Sequence, residues 1–265
     1  MAFENFTQLH NHSHYSLLDG LATIEKMVAC AVNQKYKSLA LTDHGSCAGL
    51  FNFYSECKSN NIKPILGMEA YTTNDHSVKS KESKNHHLIL LAKNSVGYKN
   101  LMFLSSFGYL KGFYYKPRID FNILKEHKEG LIVSTACCYG EIPFLLWEGQ
   151  DEKAKNIASE YKDVFGDDFY IEIMMHRYKN DNEQQAKERK LANKLYKLSK
   201  TMGIKAICTT DAHYALKQDA KAHEVLLAIQ TGTHIKDPDR MTFGSDDFYL
   251  KSMQKMAKLY KKTPD

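Results

Sequence analysis

The chain has 265 residues, of which 43% are hydrophobic and 25% are charged, and its net charge at pH 7 is +5. These values are ordinary for a soluble globular protein with one large core, and the mildly basic charge is compatible with nucleic acid without identifying it as a ligand. The apolar runs are too short to cross a bilayer, no signal-peptide pattern is present and the six cysteines form no CxxC pair, so we expect a reduced cytoplasmic protein with no membrane partner.

Seven short apolar runs predict strands, and helical patterns separate most of them. The predicted strands are Thr7–His10, Ser38–Thr42, Pro64–Tyr71, His87–Ala92, Leu131–Thr135, Phe169–Ile173 and Ala206–Thr210. The predicted helices are Thr23–Gln34, Val96–Phe107, Glu183–Met202 and Gln218–Thr231. This alternation predicts a parallel sheet with right-handed crossovers, closed into an α/β barrel of seven strands. Functional groups of such barrels gather at the C-terminal ends of the strands.

The last residues differ in composition from the rest of the chain. The segment Lys251–Asp265 is polar and basic and has no clear structural closure. We therefore expect residues 1–250 to form the barrel domain, and residues 251–265 to lead towards a further region of a longer chain.

Side chains that bind divalent transition metals recur at the ends of the predicted strands. Imidazole, carboxylate and thiolate groups are the usual ligands, and two histidines two residues apart on a strand point to the same side. The ligand types favour zinc, iron or manganese over magnesium or calcium. The candidates are His10, His12, Asp43, His44, Glu69, Cys137, Asp211 and His213.

Each candidate also has a simpler explanation. Asp43 suits the N-cap of the next helix, and a free cysteine such as Cys137 or Cys138 is most often a buried apolar residue. Glu69 lies in an otherwise apolar run, where a buried carboxylate must be paired or metal-bound unless it faces outward. His87 stands at the start of its run and does not fit the pattern of strand C-termini. The joint placement favours a polynuclear metal site, because the simpler explanations would have to hold independently at several strand ends.

The motifs that carry these residues resemble those of the PHP (polymerase and histidinol phosphatase) domain. The matching segments are Leu9–Ser13, Ser16–Gly20, Leu41–Gly45 and Thr210–Tyr214. Three further segments resemble more narrowly the N-terminal PHP domain of the bacterial replicative DNA polymerase III alpha subunit, and they are Gly112–Asp120, Ala136–Pro143 and Leu226–Gly232. The resemblance covers nearly the whole chain and implies a distorted seven-stranded (β/α) barrel of the TIM-like type.

The resemblance also implies a cluster of up to three divalent metal ions (Zn, Mn or Fe). Glu69 would bridge two ions, Asp43 would orient His44, and Asp19, Asp43 and Arg118 would serve catalysis. Arg118 and Lys116 could neutralise a phosphate, or both could be surface charges. The implied ligands are His10, His12, Asp19, His44, Glu69, His87, Cys137, Asp211 and His213.

The implied function is that of a metal-dependent phosphoesterase with 3′–5′ exonuclease (proofreading) activity on the 3′ end of a DNA primer. The parent chain would be a DNA-directed DNA polymerase, although we expect no polymerase active site in these residues. The resemblance implies as partners the polymerase core of the same chain and a proofreading exonuclease subunit. Two alternatives stay open: a metal-stabilised scaffold that docks a separate exonuclease, and a stand-alone phosphoesterase of the histidinol-phosphatase type.

Overall fold

A curled seven-stranded mixed sheet forms the centre of the protein. The computed structural model describes residues 6–179 and 181–260. The strands are β1 (Ser38–Leu41), β2 (Lys63–Thr73), β3 (His86–Ala92), β4 (Arg118–Asp120), β5 (Leu131–Ser134), β6 (Phe169–Met174) and β7 (Lys205–Thr209). They follow the order β1-β2-β3-β5-β6-β7, and β4 pairs with the end of β2. Six predicted strands are thereby confirmed, whereas β4 was not predicted.

The expectation of an all-parallel sheet is wrong at β3, which is antiparallel to both β2 and β5. Its first residues therefore lie at the sheet edge where the neighbouring parallel strands end, and His87 pairs with Tyr71 near the end of β2. This direction explains why a ligand candidate stands at the start rather than at the end of a strand.

The predicted first strand, Thr7–His10, is not a regular strand in the structure. The segment of residues 8–12 nevertheless lies between β1 and the chain that follows β7. On one side the amide of Ala40 donates to Gln8 O at 3.1 Å, and on the other the amide of His12 donates to Ala212 O at 2.8 Å. These bonds connect the two ends of the sheet path, so the segment helps to close the barrel.

Helices cover the sheet. They are α1 (Ile24–Asn33), α2 (Leu50–Ser59), α3 (Ser95–Leu110), α4 (Phe121–Glu126), α5 (Glu141–Trp147), α6 (Asp151–Phe165), α7 (Asn182–Met202), α8 (Ala220–Thr231) and α9 (Met253–Tyr260). The four predicted helices correspond to α1, α3, α7 and α8. Side-chain caps fix four N-termini, since Thr23, Asn94, Asp120 and Asp181 accept backbone N–H bonds at the start of α1, α3, α4 and α7.

The final helix packs against the barrel. The Tyr260 hydroxyl donates to Ile173 O at 2.9 Å and Thr209 O at 3.1 Å, and Met256 is buried. A domain boundary at residue 250 stays a prediction. In the two described stretches of chain, no helix is both long enough and apolar enough to span a lipid bilayer.

Candidate metal centre

Glu69 lies at the middle of a buried cluster of four histidines. Its Oε1 is 3.2 Å from His10 Nε2 and 3.1 Å from His87 Nδ1. Its Oε2 is 3.2 Å from His12 Nε2 and 2.7 Å from His44 Nδ1. Each carboxylate oxygen therefore faces two imidazole nitrogens, which is the arrangement expected of a carboxylate that could bridge two ions.

Asp211 holds the opposite side of the cluster. Its Oδ1 lies 3.1 Å from both His10 Nε2 and His12 Nε2. Its backbone has a φ of 46°, a left-handed conformation that is uncommon for a residue other than glycine and that often marks functional sites. This turn also brings the carbonyl oxygen of Asp211 to 2.8 Å from His213 Nδ1.

Asp19 reaches the cluster from the loop that follows the first histidines. Its Oδ2 lies 2.8 Å from His44 Nε2 and 3.3 Å from His213 Nε2. The next residue, Gly20, lies so close to the main chain that an added Cβ would stand 2.0 Å from Ser13 O. Only glycine fits there without moving the loop, so the loop geometry that presents Asp19 depends on it.

Cys137 and His87 meet beside Glu69. The Cys137 Sγ is 3.5 Å from His87 Nδ1 and 3.9 Å from Glu69 Oε1. The residues adjacent to them in the sequence, His86 and Cys138, do not face the cluster. His86 Nδ1 donates to the carbonyl of Tyr139 at 3.2 Å, and Cys138 is exposed.

Glu172 was not predicted, although it contacts the cluster directly. His10 Nδ1 donates to Glu172 Oε1 at 2.7 Å, and the hydroxyls of Ser134 and Thr209 donate to the same carboxylate. Because the Nδ1 hydrogen is held there, the lone pair of His10 lies on Nε2 and faces the centre. The sequence did contain a sign of this role: Glu172 is a carboxylate inside the apolar run Phe169–Ile173, as Glu69 is in its own run.

His12 is oriented through a chain of hydrogen bonds that ends at Asp43. The Ser16 hydroxyl donates to Asp43 Oδ1 at 2.7 Å, so it accepts from His12 Nδ1 at 3.0 Å. Asp43 also accepts from the amide and hydroxyl of Ser13. The imidazole of His44 instead faces carboxylates, and its amide donates to Ser16 Oγ at 3.1 Å. The structure thus connects Asp43 with the side chain of His12 and with the backbone of His44.

Arg118 and Lys116 lie in and beside β4. The Arg118 side chain is fully buried and donates to the carbonyl of His76 at 3.1 Å. The Lys116 ammonium lies 5.2 Å from the ring centre of Tyr71, which stacks against His44 at 5.6 Å. A phosphate-neutralising role stays a prediction for both residues.

Several buried atoms that could bind a metal make no well-aligned hydrogen bond, although they lie 2.7–3.2 Å from one another. They are His10 Nε2, His12 Nε2, His44 Nδ1, Glu69 Oε2 and Asp211 Oδ1. Polar atoms without a well-formed hydrogen bond are costly in a protein interior, and bound cations would satisfy these. Ligand atoms within 4.8 Å of one another form three groups here: His12, His44 and His213; His10, His12 and Asp211; and His44, Glu69 and His87. The residues therefore fit a site for divalent cations.

The carboxylates create a strong negative field in this centre. Burial by itself lowers the pKa of His44, but the charges of Glu69 and Asp19 outweigh it and raise that pKa to about 10. Burial by itself raises the pKa of Asp211, yet His10 and His213 hold it well below its usual value. The carboxylates thus stay ionised, and a metal ion that bound to His44 would displace its proton.

Comparison with known proteins connects this geometry to a family. The model of the PHP domain matches residues 8–176. The chain is 44% identical over 272 residues to the DNA polymerase III subunit alpha of Helicobacter pylori, covering 98% of this chain and 22% of that protein. It is 41% identical over 270 residues to the protein of the same name from Treponema pallidum, covering 100% of this chain and 22% of that protein. The chain thus spans less than a quarter of the length of these relatives.

A solved structure shares the fold at low sequence identity. It is an amidohydrolase from Chromobacterium violaceum, with a TM-score of 0.51 and 13% identity, and the match covers 78% of this chain and 87% of that one. At this identity the likeness concerns the barrel architecture alone.

Proposed function

The chain belongs to the PHP domain family, and from that membership we propose that it is the metal-dependent phosphoesterase domain of a DNA polymerase III alpha-type protein. We propose 3′–5′ exonuclease activity on the 3′ end of a DNA primer, in the cytoplasm of a bacterium, within a parent chain that polymerises DNA. The observation that carries the proposal is the convergence of imidazole nitrogens and carboxylate oxygens in one buried centre, several of them without a well-aligned hydrogen bond.

We propose nine ligands for up to three divalent ions of zinc, manganese or iron. When bound, such ions lower the pKa of a water molecule and neutralise the oxygens of a phosphodiester. The hydrogen bond from His10 Nδ1 to Glu172 leaves His10 Nε2 as the nitrogen that can bind a metal ion. The proposed ligands are His10, His12, Asp19, His44, Glu69, His87, Cys137, Asp211 and His213.

The pattern of exposure gives the direction from which a phosphate would approach. The side chains of His10 and His12 are 0% exposed, whereas those of Asp19, His44, His87 and Asp211 are 12%, 14%, 17% and 11% exposed. The open side of the centre is therefore bordered by these four residues. Burial by itself raises the pKa of Asp19, but the neighbouring His213 and His44 have the larger effect and bring this pKa below its usual value. The Asp19 carboxylate therefore stays ionised at the opening.

The test is release of nucleotides from a 5′-labelled single-stranded primer by the purified chain in Mn²⁺ or Zn²⁺. We expect release from the 3′ end, and its loss in both Asp19→Ala and Asp211→Ala. The exposed carboxylate variant Glu152→Gln is the matched control and should retain activity. Release that survives in both centre variants would identify a contaminating nuclease, and metal content with circular dichroism would establish that the variants are folded.

The main alternative is a metal-stabilised scaffold without turnover, docking the polymerase core and a separate proofreading exonuclease. The complete burial of His10 and His12 favours it, because a purely structural centre needs no opening. A chain that binds metal and is stabilised by it, yet releases no nucleotide from any primer, would support the scaffold and contradict the exonuclease.

A further inference from the structure

A cavity of about 220 Å³ adjoins the metal centre. Of the proposed metal ligands, only Cys137 and Asp211 line it. Cys137, Glu172 and Asp211 line this cavity on the side of the centre. The rest of the wall is largely apolar, and it includes the aromatic rings of Trp147, Tyr178, Phe243 and Phe248 and the thioether of Met241. Its mouth is open to solvent, because Trp147 is 40% exposed and Met241 is 44% exposed.

Two of the three carboxylates of the cavity wall, Glu188 and Glu172, already have hydrogen-bond partners, and the third, Asp211, belongs to the metal centre. The Glu188 carboxylate accepts from His176 Nδ1 at 2.7 Å and from the Tyr178 hydroxyl at 3.4 Å. Glu172 is engaged by His10 in the same way. A ligand of this cavity therefore meets flat apolar surfaces and satisfied carboxylates, which favours a neutral, planar molecule over a charged one.

The size of the cavity limits the ligand further. Pockets for drug-sized molecules have volumes of roughly 300–1,000 Å³, so a cavity of about 220 Å³ suits one ring system rather than a dinucleotide. Aromatic side chains bind nucleobases by stacking, and they do so with little dependence on sequence because every base has a π-face. The wall shared with the metal centre would place such a base next to its own phosphate.

We propose that this cavity binds the nucleobase of the nucleotide whose phosphodiester lies at the metal centre. The inference rests on the proposed phosphoesterase function and adds the substrate class, a single-stranded DNA end with an unpaired terminal base. A paired base would have to leave its duplex to enter, so the cavity would favour frayed or mismatched ends.

The chain offers a direct probe, because Trp147 is its one tryptophan. We expect thymidine, which carries no phosphate, to quench the intrinsic tryptophan fluorescence of the metal-loaded chain in a saturable way. Inorganic phosphate should leave the fluorescence unchanged, since it would occupy the metal centre alone. Quenching by phosphate and not by thymidine would overturn the proposal.

Two variants test whether the quenching arises in this cavity. Met241→Ala removes a half-exposed wall residue and should weaken thymidine binding about threefold or more, as measured by the midpoint of quenching. Phe51→Ala, which removes an exposed aromatic side chain that does not line the cavity, should leave the midpoint unchanged. Equal midpoints in the two variants would place the binding elsewhere and overturn the proposal.

The outcome is distinguishable from that of the exonuclease assay. Nucleotide release without any thymidine quenching would overturn the base site and leave the phosphoesterase intact. Thymidine quenching without nucleotide release would support base binding and contradict the exonuclease.

Discussion

Replacing Glu69 with glutamine should abolish most of the stabilisation that metal gives to the chain. The two oxygens of this carboxylate face four imidazole nitrogens at 2.7–3.2 Å, so it is the side chain shared by most of the cluster. Glutamine keeps the shape, but it removes the negative charge and replaces one acceptor oxygen with a donor nitrogen. We therefore expect a lower metal affinity with little change in packing.

The size of the effect follows from mass action. Metal at 100 times its Kd stabilises a native state by about 2.7 kcal/mol, which for a domain of this size raises the melting temperature by about 5–11 °C. Losing even a residue that only orients a ligand weakens metal affinity about 10–100-fold. A hundredfold loss in Glu69→Gln would leave about 0.4 kcal/mol of stabilisation at the same metal concentration, or about 1 °C.

The assay is a pair of thermal melts, one in chelator and one in a series of Zn²⁺ or Mn²⁺ concentrations. The comparison uses the increment that metal produces in each variant, so changes in the stability of the metal-free chain cancel. Glu172→Gln should show an intermediate increment and Glu152→Gln the full one. Equal increments in wild type and Glu69→Gln would refute the reasoning, as would elemental analysis finding well under one ion per wild-type chain.

Two further predictions concern stability. Gly97→Ala should lower the free energy of unfolding, measured in urea, by about 2 kcal/mol. The added Cβ would stand 1.8 Å from Gly130 O, and this clash outweighs the gain of about 1 kcal/mol in helix propensity. Val96→Ala is the control, and an unchanged unfolding midpoint in Gly97→Ala would contradict the clash. Burial lowers the pKa of Lys251 to about 8. The unfolded chain therefore holds this proton to higher pH, and the contribution of Lys251 to stability should rise by up to about 1.4 kcal/mol per pH unit between about pH 8 and 10. Lys251→Met should lack the gain, and parallel wild-type and variant stability curves between pH 8 and 10 would contradict this assignment.

The apolar runs allowed most strands to be predicted, but they could not give the direction of β3. A buried strand has the same apolar pattern whichever way it runs, and periodicity carries no information on its partner. The reversal appears only in the register, where His87 lies opposite Tyr71. The resemblance to the PHP domain implied that His87 is a ligand. The expectation that ligands lie at the C-terminal ends of strands argued against it.

The first predicted strand failed for a local reason. The side-chain amide of Asn11 donates to the carbonyls of Gln8 and Ala40, both at 3.0 Å, and so takes places that a regular ladder would give to backbone amides. The three-residue β4 was missed because Arg118–Asp120 contains a single apolar residue. Fully buried Arg118 has no sequence signature, since its carbonyl partner at His76 is set by the tertiary fold.

The residues that orient the ligands were the hardest part of the site to foresee. Ligand types can be recognised from their chemistry, but a hydroxyl such as Ser16 or Ser134 becomes informative only once its neighbours in space are known. Glu172 is the exception, because a carboxylate within an apolar strand requires a partner whatever the fold. The same reasoning that singled out Glu69 applied to it.

Residues 8–12, which connect the two ends of the sheet, also determine when the metal centre can assemble. His10 and His12 leave the ribosome about two hundred residues before Asp211, which they face at 3.1 Å. A nascent chain that lacks Asp211 has the histidines of this group but not their carboxylate. Loading of that position with an ion therefore comes after the long-range contacts between the first and last parts of the barrel have formed.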